Sequence, residues 1–162
     1  MAGFEVDGEP PEHRRYARYL AALDGVGEAE EAALVADVLR DEHAGMAESA
    51  VNHHLERRAA EQLTGPGFPA WAAMMAAVVG ERVFLARRLR EWILFRAVVL
   101  DEAWSDEELL SASDWFQRTV AGAELVTSSA VLGLLAEQGR TRRVRNAASR
   151  RERQRAESRD RP

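Results

Sequence analysis

At 162 residues the chain is long enough for one domain with a real core, since a chain near 150 residues buries roughly 70% of its unfolded surface, and too short for two large ones. Hydrophobic residues make up 46% and charged residues 30%, which excludes wholesale disorder, and the absence of cysteine excludes disulfides, thiolate metal sites and a cysteine nucleophile. The net charge of −5 divides unevenly: residues 1–139 hold 12 Arg against 24 Asp plus Glu, and residues 140–162 hold ten Arg against three acids, a basic arm on an acidic body.

The opening MAGFEVDGEPPEH carries acids where a secretory signal has a positive region and an apolar run, so a cytoplasmic location is expected. The pattern predicts helices throughout, seven to eight of them, with no apolar–polar alternation that argues for a strand. The first follows Pro10 and Pro11 and is striped by Tyr16, Tyr19, Leu20 and Leu23 before Gly25. The second covers residues 28–40, with Leu34, Val35, Val38 and Leu39 on one face and glutamates in its first turn. After a polar break at residues 41–45, the third covers residues 46–63, striped by Met46, Ala50, Val51, His54, Leu55 and Ala59. The longest uncharged stretch, Leu63 to Gly80, contains Gly65, Pro66, Gly67 and Pro69, which leaves about ten continuous helical positions against the ~20 that span a bilayer. It reads as a turn and a short fourth helix, and no membrane partner is expected.

The fifth helix, residues 82–100, contains WILFRAVVL, apolar nearly all round, and is expected to be central and covered on most sides. Ser105 followed by Glu108 is a capping box that opens a sixth helix carrying Leu109, Leu110, Phe116 and Val120. A seventh starts near Ser128 or Ser129 and stops at Gly139. Beyond it Val144, Ala147 and Ala148 form one apolar patch on an arginine-rich helix. The domain plan is a flexible N-terminus over residues 1–10, a single all-helical domain over 11–150 and a basic, frayed C-terminal tail over 151–162.

Two segments share a design in which an amphipathic helix, a polar turn and a helix with small residues follow one another. In one, Leu34, Val35, Val38 and Leu39 precede Met46, Ala50, Val51 and Leu55. In the other, Leu132, Leu134 and Leu135 precede Val144-Arg145-Asn146-Ala147-Ala148. This resembles the HEAT-repeat pattern over about a third of the chain, with Ala47 where arginine is usual and Glu152 where leucine is expected. The resemblance implies an all-α, HEAT-like α-solenoid, the other form open to the sequence being an irregular helical bundle. It also implies a concave face that binds a macromolecule, and no chemistry.

Candidate chemistry is sparse. His43, His53 and His54 lie near Asp41, Glu42 and Glu48, but without i,i+3 or i,i+4 ligand spacing, so no metal site is expected. His54 falls on the apolar stripe and His53 on the polar side. Arg88 and Arg96, on the covered helix, call for internal ion pairs, with Asp114 or Glu124 as candidates, or for an anion pocket. No phosphate-binding glycine loop, dinucleotide fingerprint or G-x-S-x-G motif occurs, and no cofactor is expected.

The leading expectation is a non-enzymatic protein-interaction module, adaptor or scaffold, whose partner-binding surface lies near Glu48, Asn52 and Arg58. The alternative is non-specific nucleic-acid binding through the basic arm, with Arg142, Arg143, Arg145, Arg150 and Arg151 as phosphate contacts and no interleaved aromatics to stack bases. A third reading, a HEAT-like DNA glycosylase-type enzyme at Asp114-Trp115, places its carboxylate in an acidic stretch that repels phosphate.

Overall fold

A computed structural model describes residues 10–159, and all secondary structure among them is helical. Nine helices follow in order: α1 (Pro11–Asp24), α2 (Glu28–Val38), α3 (Ala44–Gln62), α4 (Phe68–Val79), α5 (Val83–Val99), α6 (Asp106–Ser111), α7 (Asp114–Gly122), α8 (Ser129–Gln138) and α9 (Arg142–Arg159). The all-α class holds. Residues 1–9 of the expected flexible N-terminus and residues 160–162 of the expected tail lie outside the described residues.

Local chemistry sets the boundaries. Pro11 opens α1, where its missing N–H is not needed. Gly80, at φ 59°, closes α4 in a conformation that disfavours a Cβ. Asp101 plays the same part after α5 at φ 56°, and the Glu102 N–H returns to the Ala97 carbonyl at 2.8 Å. The Ser105 capping box forms in full, with Ser105 Oγ accepting from the Glu108 N–H at 3.2 Å and Glu108 Oε2 accepting from the Ser105 N–H at 2.9 Å.

The expected sixth helix is in fact two. Ala112 and Ser113 are extended, Ser113 Oγ caps α7 by accepting from the Phe116 N–H at 3.2 Å, and the Ser113 N–H donates to buried Glu91 Oε1 at 2.8 Å. A second serine cap backed by a buried carboxylate outweighs continuation of the helix.

The chain groups into two compact units, one of residues up to Gln62 with Pro66–Leu89, the other of Leu63–Gly65 with the residues from Arg90 on. In the first, α1 lies along α3, and α2 packs on α4, around Leu23, Val35, Val51, Leu55, Phe68 and Met75. In the second, α9 packs along α8 and α7, around Phe116, Val120, Leu132, Leu135, Val144 and Ala148. Residues 151–159, assigned to the tail, are the last turns of α9.

Along α5 Leu85, Leu89, Trp92, Phe95 and Val98 are buried; within the apolar run 92–100 Ile93 is 44% and Leu100 37% exposed, and Val83, before the run, is 79% exposed. An all-round apolar run does not require an all-round cover. Arg88 pairs with Glu56 at 3.5 Å, and Arg96 with Glu102 at 3.7 Å while donating to the Leu63 carbonyl at 2.6 Å. Glu56 and Glu102 are carboxylate partners that the sequence did not single out.

Candidate functional site

In the first unit the notable cluster surrounds Glu31, a first-turn glutamate of α2 that is only 1% exposed. Its Oε1 accepts from Trp71 Nε1 at 3.0 Å, from His54 Nε2 at 2.7 Å and from Arg58 Nε at 3.2 Å. Burial alone would raise its pKa, but the donations from Trp71, Arg58 and His54 outweigh it and hold the carboxyl below the ordinary value. His54 moves down as well, because burial disfavours its charged form more than Glu31 favours it, so the ring is neutral and Nε2 is the donor. Arg58, held by the same carboxylate, is the compensating cation.

The expected partner-binding residues fall in two places on α3. Arg58 bonds Glu31 and Glu61 and lies about 80° around α3 from half-buried Glu48. Asn52 Nδ2 donates to Glu56 at 3.1 Å. Glu48 and Asn52 share a face of α3, while Arg58 belongs to the Glu31 cluster. The acid and histidine run before α3 also has a structural use: Asp41 accepts from the Tyr19 hydroxyl, from Arg15 and from the His43 backbone N–H at 2.8 Å, which pins the turn to α1. Tyr19 first, then His43, holds Asp41 below its usual range. Among the described residues no group of three His, Asp or Glu side chains is arranged to hold a metal ion.

In the second unit the basic arm divides by direction. Arg145 Nη1 donates to the Gly139 carbonyl at 2.7 Å, and Arg151 donates to the Ala123 and Val126 carbonyls at 2.7 and 3.0 Å. These two are internal clips that satisfy carbonyls at the ends of α7 and α8 and in the loop between them. Arg142, Arg143, Arg150 and Arg153 are exposed, and helical spacing puts them within about 100° of arc. Among the described residues none of these four is ion-paired with a carboxylate. Arg118 pairs with Asp114 at 3.1 Å on α7. The side chains that dock the helix are Val144 and Ala148, both fully buried.

Beside that arc is an open groove of about 420 Å³ lined by Trp115, Arg118, Thr119, Arg143 and Ala147. Trp115 packs against Trp92, with ring centroids 5.8 Å apart and the planes tilted by 59°. Asp114 does not line the groove; it bonds Arg118 and accepts from Thr141 at 3.4 Å. No sequence signal could pair Trp115 with Arg143, because α7 and α9 come together only through tertiary packing.

Comparison of the chain with protein families, with curated proteins and with solved structures found no match. Among the described residues no helix is long and apolar enough to cross a membrane.

Proposed function

We propose that this protein is a non-catalytic, all-helical binding module that uses α9 to hold an extended polyanion, nucleic acid being the natural one. The observation that carries the reading is the separation of the arm's arginines: Arg145 and Arg151 face inward onto backbone carbonyls, and Arg142, Arg143, Arg150 and Arg153 face outward on one arc and have no carboxylate partner among the described residues. Uncompensated guanidiniums on a rigid helix neutralise phosphates and release counterions, and they carry no sequence preference. The test is binding of labelled DNA and RNA across a salt series, comparing the chain with the variant R142Q/R143Q/R150Q/R153Q. The logarithm of the binding constant should fall linearly with log salt, and the variant should lose both affinity and slope. Equal binding by the variant refutes the reading.

A protein-interaction role, with a HEAT-like stacking of helical hairpins, is the second reading. It is supported by the α8–α9 hairpin and by two exposed hydrophobes, Ile93 on α5 and Leu100 just past its end. Under it, I93D/L100D removes partner capture and the arginine variant does not.

A further inference from the structure

The groove on α7 and α9 has more in it than charge. It is lined by half-exposed Trp115 together with Arg118, Thr119, Arg143 and Ala147, and it is open to solvent. Duplex nucleic acid has no use for an aromatic lining, since its bases are stacked on one another. A single strand does: every base has a π-face, and stacking on a braced aromatic side chain is sequence-tolerant. The contact with Trp92 restrains the Trp115 ring, so little ordering accompanies stacking.

The groove also continues into the arginine arc. Arg143, Ala147, Arg150 and Gln154 follow one another at i, i+4, i+7 and i+11, a single stripe that leaves the groove along α9. From Arg143 to Arg150 the helix rises about 10 Å. A strand with one base on Trp115 therefore meets positive charge at the groove wall and again two turns further on. Asp114 is tied to Arg118 and Thr141, and Arg143 has no carboxylate partner among the described residues.

We infer that the Trp115–Arg143 groove is a stacking site for one unpaired nucleobase, so that the polyanion held by α9 is single-stranded nucleic acid in preference to duplex. This rests on the polyanion reading above and narrows it to one class of ligand.

The experiment uses the full chain and three probes of equal length: an oligothymidylate, the same phosphate backbone without bases, and a duplex. Stacking of one base predicts that the oligothymidylate binds roughly ten-fold or more tightly than the baseless strand. W115A should erase that difference and leave binding of the baseless strand unchanged, and W115F should keep most of it. Equal affinity for strands with and without bases, or tighter binding of the duplex, overturns the stacking site, and because that comparison needs no variant it stands even if W115A unfolds. The two readings fail separately: loss of base preference with retained sensitivity to R142Q/R143Q/R150Q/R153Q removes the stacking site alone, and insensitivity to those four removes both.

Discussion

Trp71 donates its indole N–H to Glu31 Oε1 across 3.0 Å, joining the start of α2 to α4 through a carboxylate that is 1% exposed. His54 and Arg58 reach the same oxygen from α3, so one side chain ties three helices together. Removing it leaves a partly buried guanidinium, a buried imidazole N–H and a buried indole N–H without their acceptor. E31A should therefore cost about 3 kcal/mol or more. W71F, which keeps a ring but deletes one donor, should cost less, near 1 kcal/mol. Urea unfolding of both variants, followed by circular dichroism, gives the comparison. Equal losses would mean that packing of the indole and not the carboxylate holds α4.

The same cluster makes stability depend on pH, with a definite sign. Burial lowers the pKa of His54 in the folded chain, so near the ordinary histidine value of about 6.5 the unfolded chain binds a proton that the folded one does not. Stability then falls as pH drops through about 6.5 toward the lowered folded value, by at most about 1.4 kcal/mol per pH unit from this group. Glu31, also lowered, adds its own loss only further down, below its ordinary value near 4.5. H54Q, whose amide can still donate to Glu31, should flatten the limb between pH 7 and 5 and leave the more acidic one in place. An unchanged upper limb in H54Q would assign it to another group.

Much of the helical plan was legible because caps and breakers act locally. Pro11, Gly80 and the Ser105–Glu108 box each fix a boundary through atoms within a few residues, and the apolar stripes of α3 and α8 follow from spacing alone. The second serine cap was not, because what makes Ser113 start a helix is Glu91, 22 positions earlier. The site was less legible still. Glu31 reads as a solvent-facing first-turn acid, and it is buried because Trp71, His54 and Arg58 converge on it from 40, 23 and 27 positions away. The arm shows the limit most clearly. Arg145 and Arg150 are the same residue on the same helix, and only carbonyls placed by the fold make the one a clip and leave the other on the surface.

Gln117 is a further case of hidden polarity. It is fully buried, its Nε2 donates to the Leu109 and Leu110 carbonyls at 3.0 and 3.1 Å, and its Oε1 accepts from the Arg140 backbone N–H at 2.8 Å. One amide thus closes the end of α6 and anchors the chain just before α9. Q117L, close in volume but unable to bond, should cost at least about 2 kcal/mol because it orphans backbone groups away from water. Q117E should be no better, since an acid cannot supply the two donors. Thermal unfolding measures both.

Gly139 is held to its identity by space. A Cβ there would sit 2.5 Å from the Leu135 carbonyl oxygen and 2.8 Å from Val144 Cγ1, and the first of these is backbone that cannot step aside. G139A should cost about 1–3 kcal/mol by forcing α8 and α9 apart. Loss of stability in this variant with unchanged affinity for the oligothymidylate at low temperature would show that α9 binds as a preformed helix surface once docked.

The two kinds of arginine on α9 give the sharpest contrast. Arg151 bonds two carbonyls, at Ala123 and Val126, and charge-assisted bonds of this type are worth roughly 1.5–3 kcal/mol. R151Q should therefore lower the melting temperature while leaving the salt dependence of polyanion binding as it was. Arg150, one position earlier and exposed, should behave in the opposite way: R150Q leaves stability within about 0.5 kcal/mol and reduces the slope of log affinity against log salt by about 0.9 on duplex DNA. Calorimetry and a salt titration on the same two proteins decide the matter. If R151Q and R150Q weaken binding equally, the whole helix acts as diffuse charge and its outward arc has no special role; if only R150Q does, a single step along the chain separates the residue that holds the fold from the one that meets the ligand.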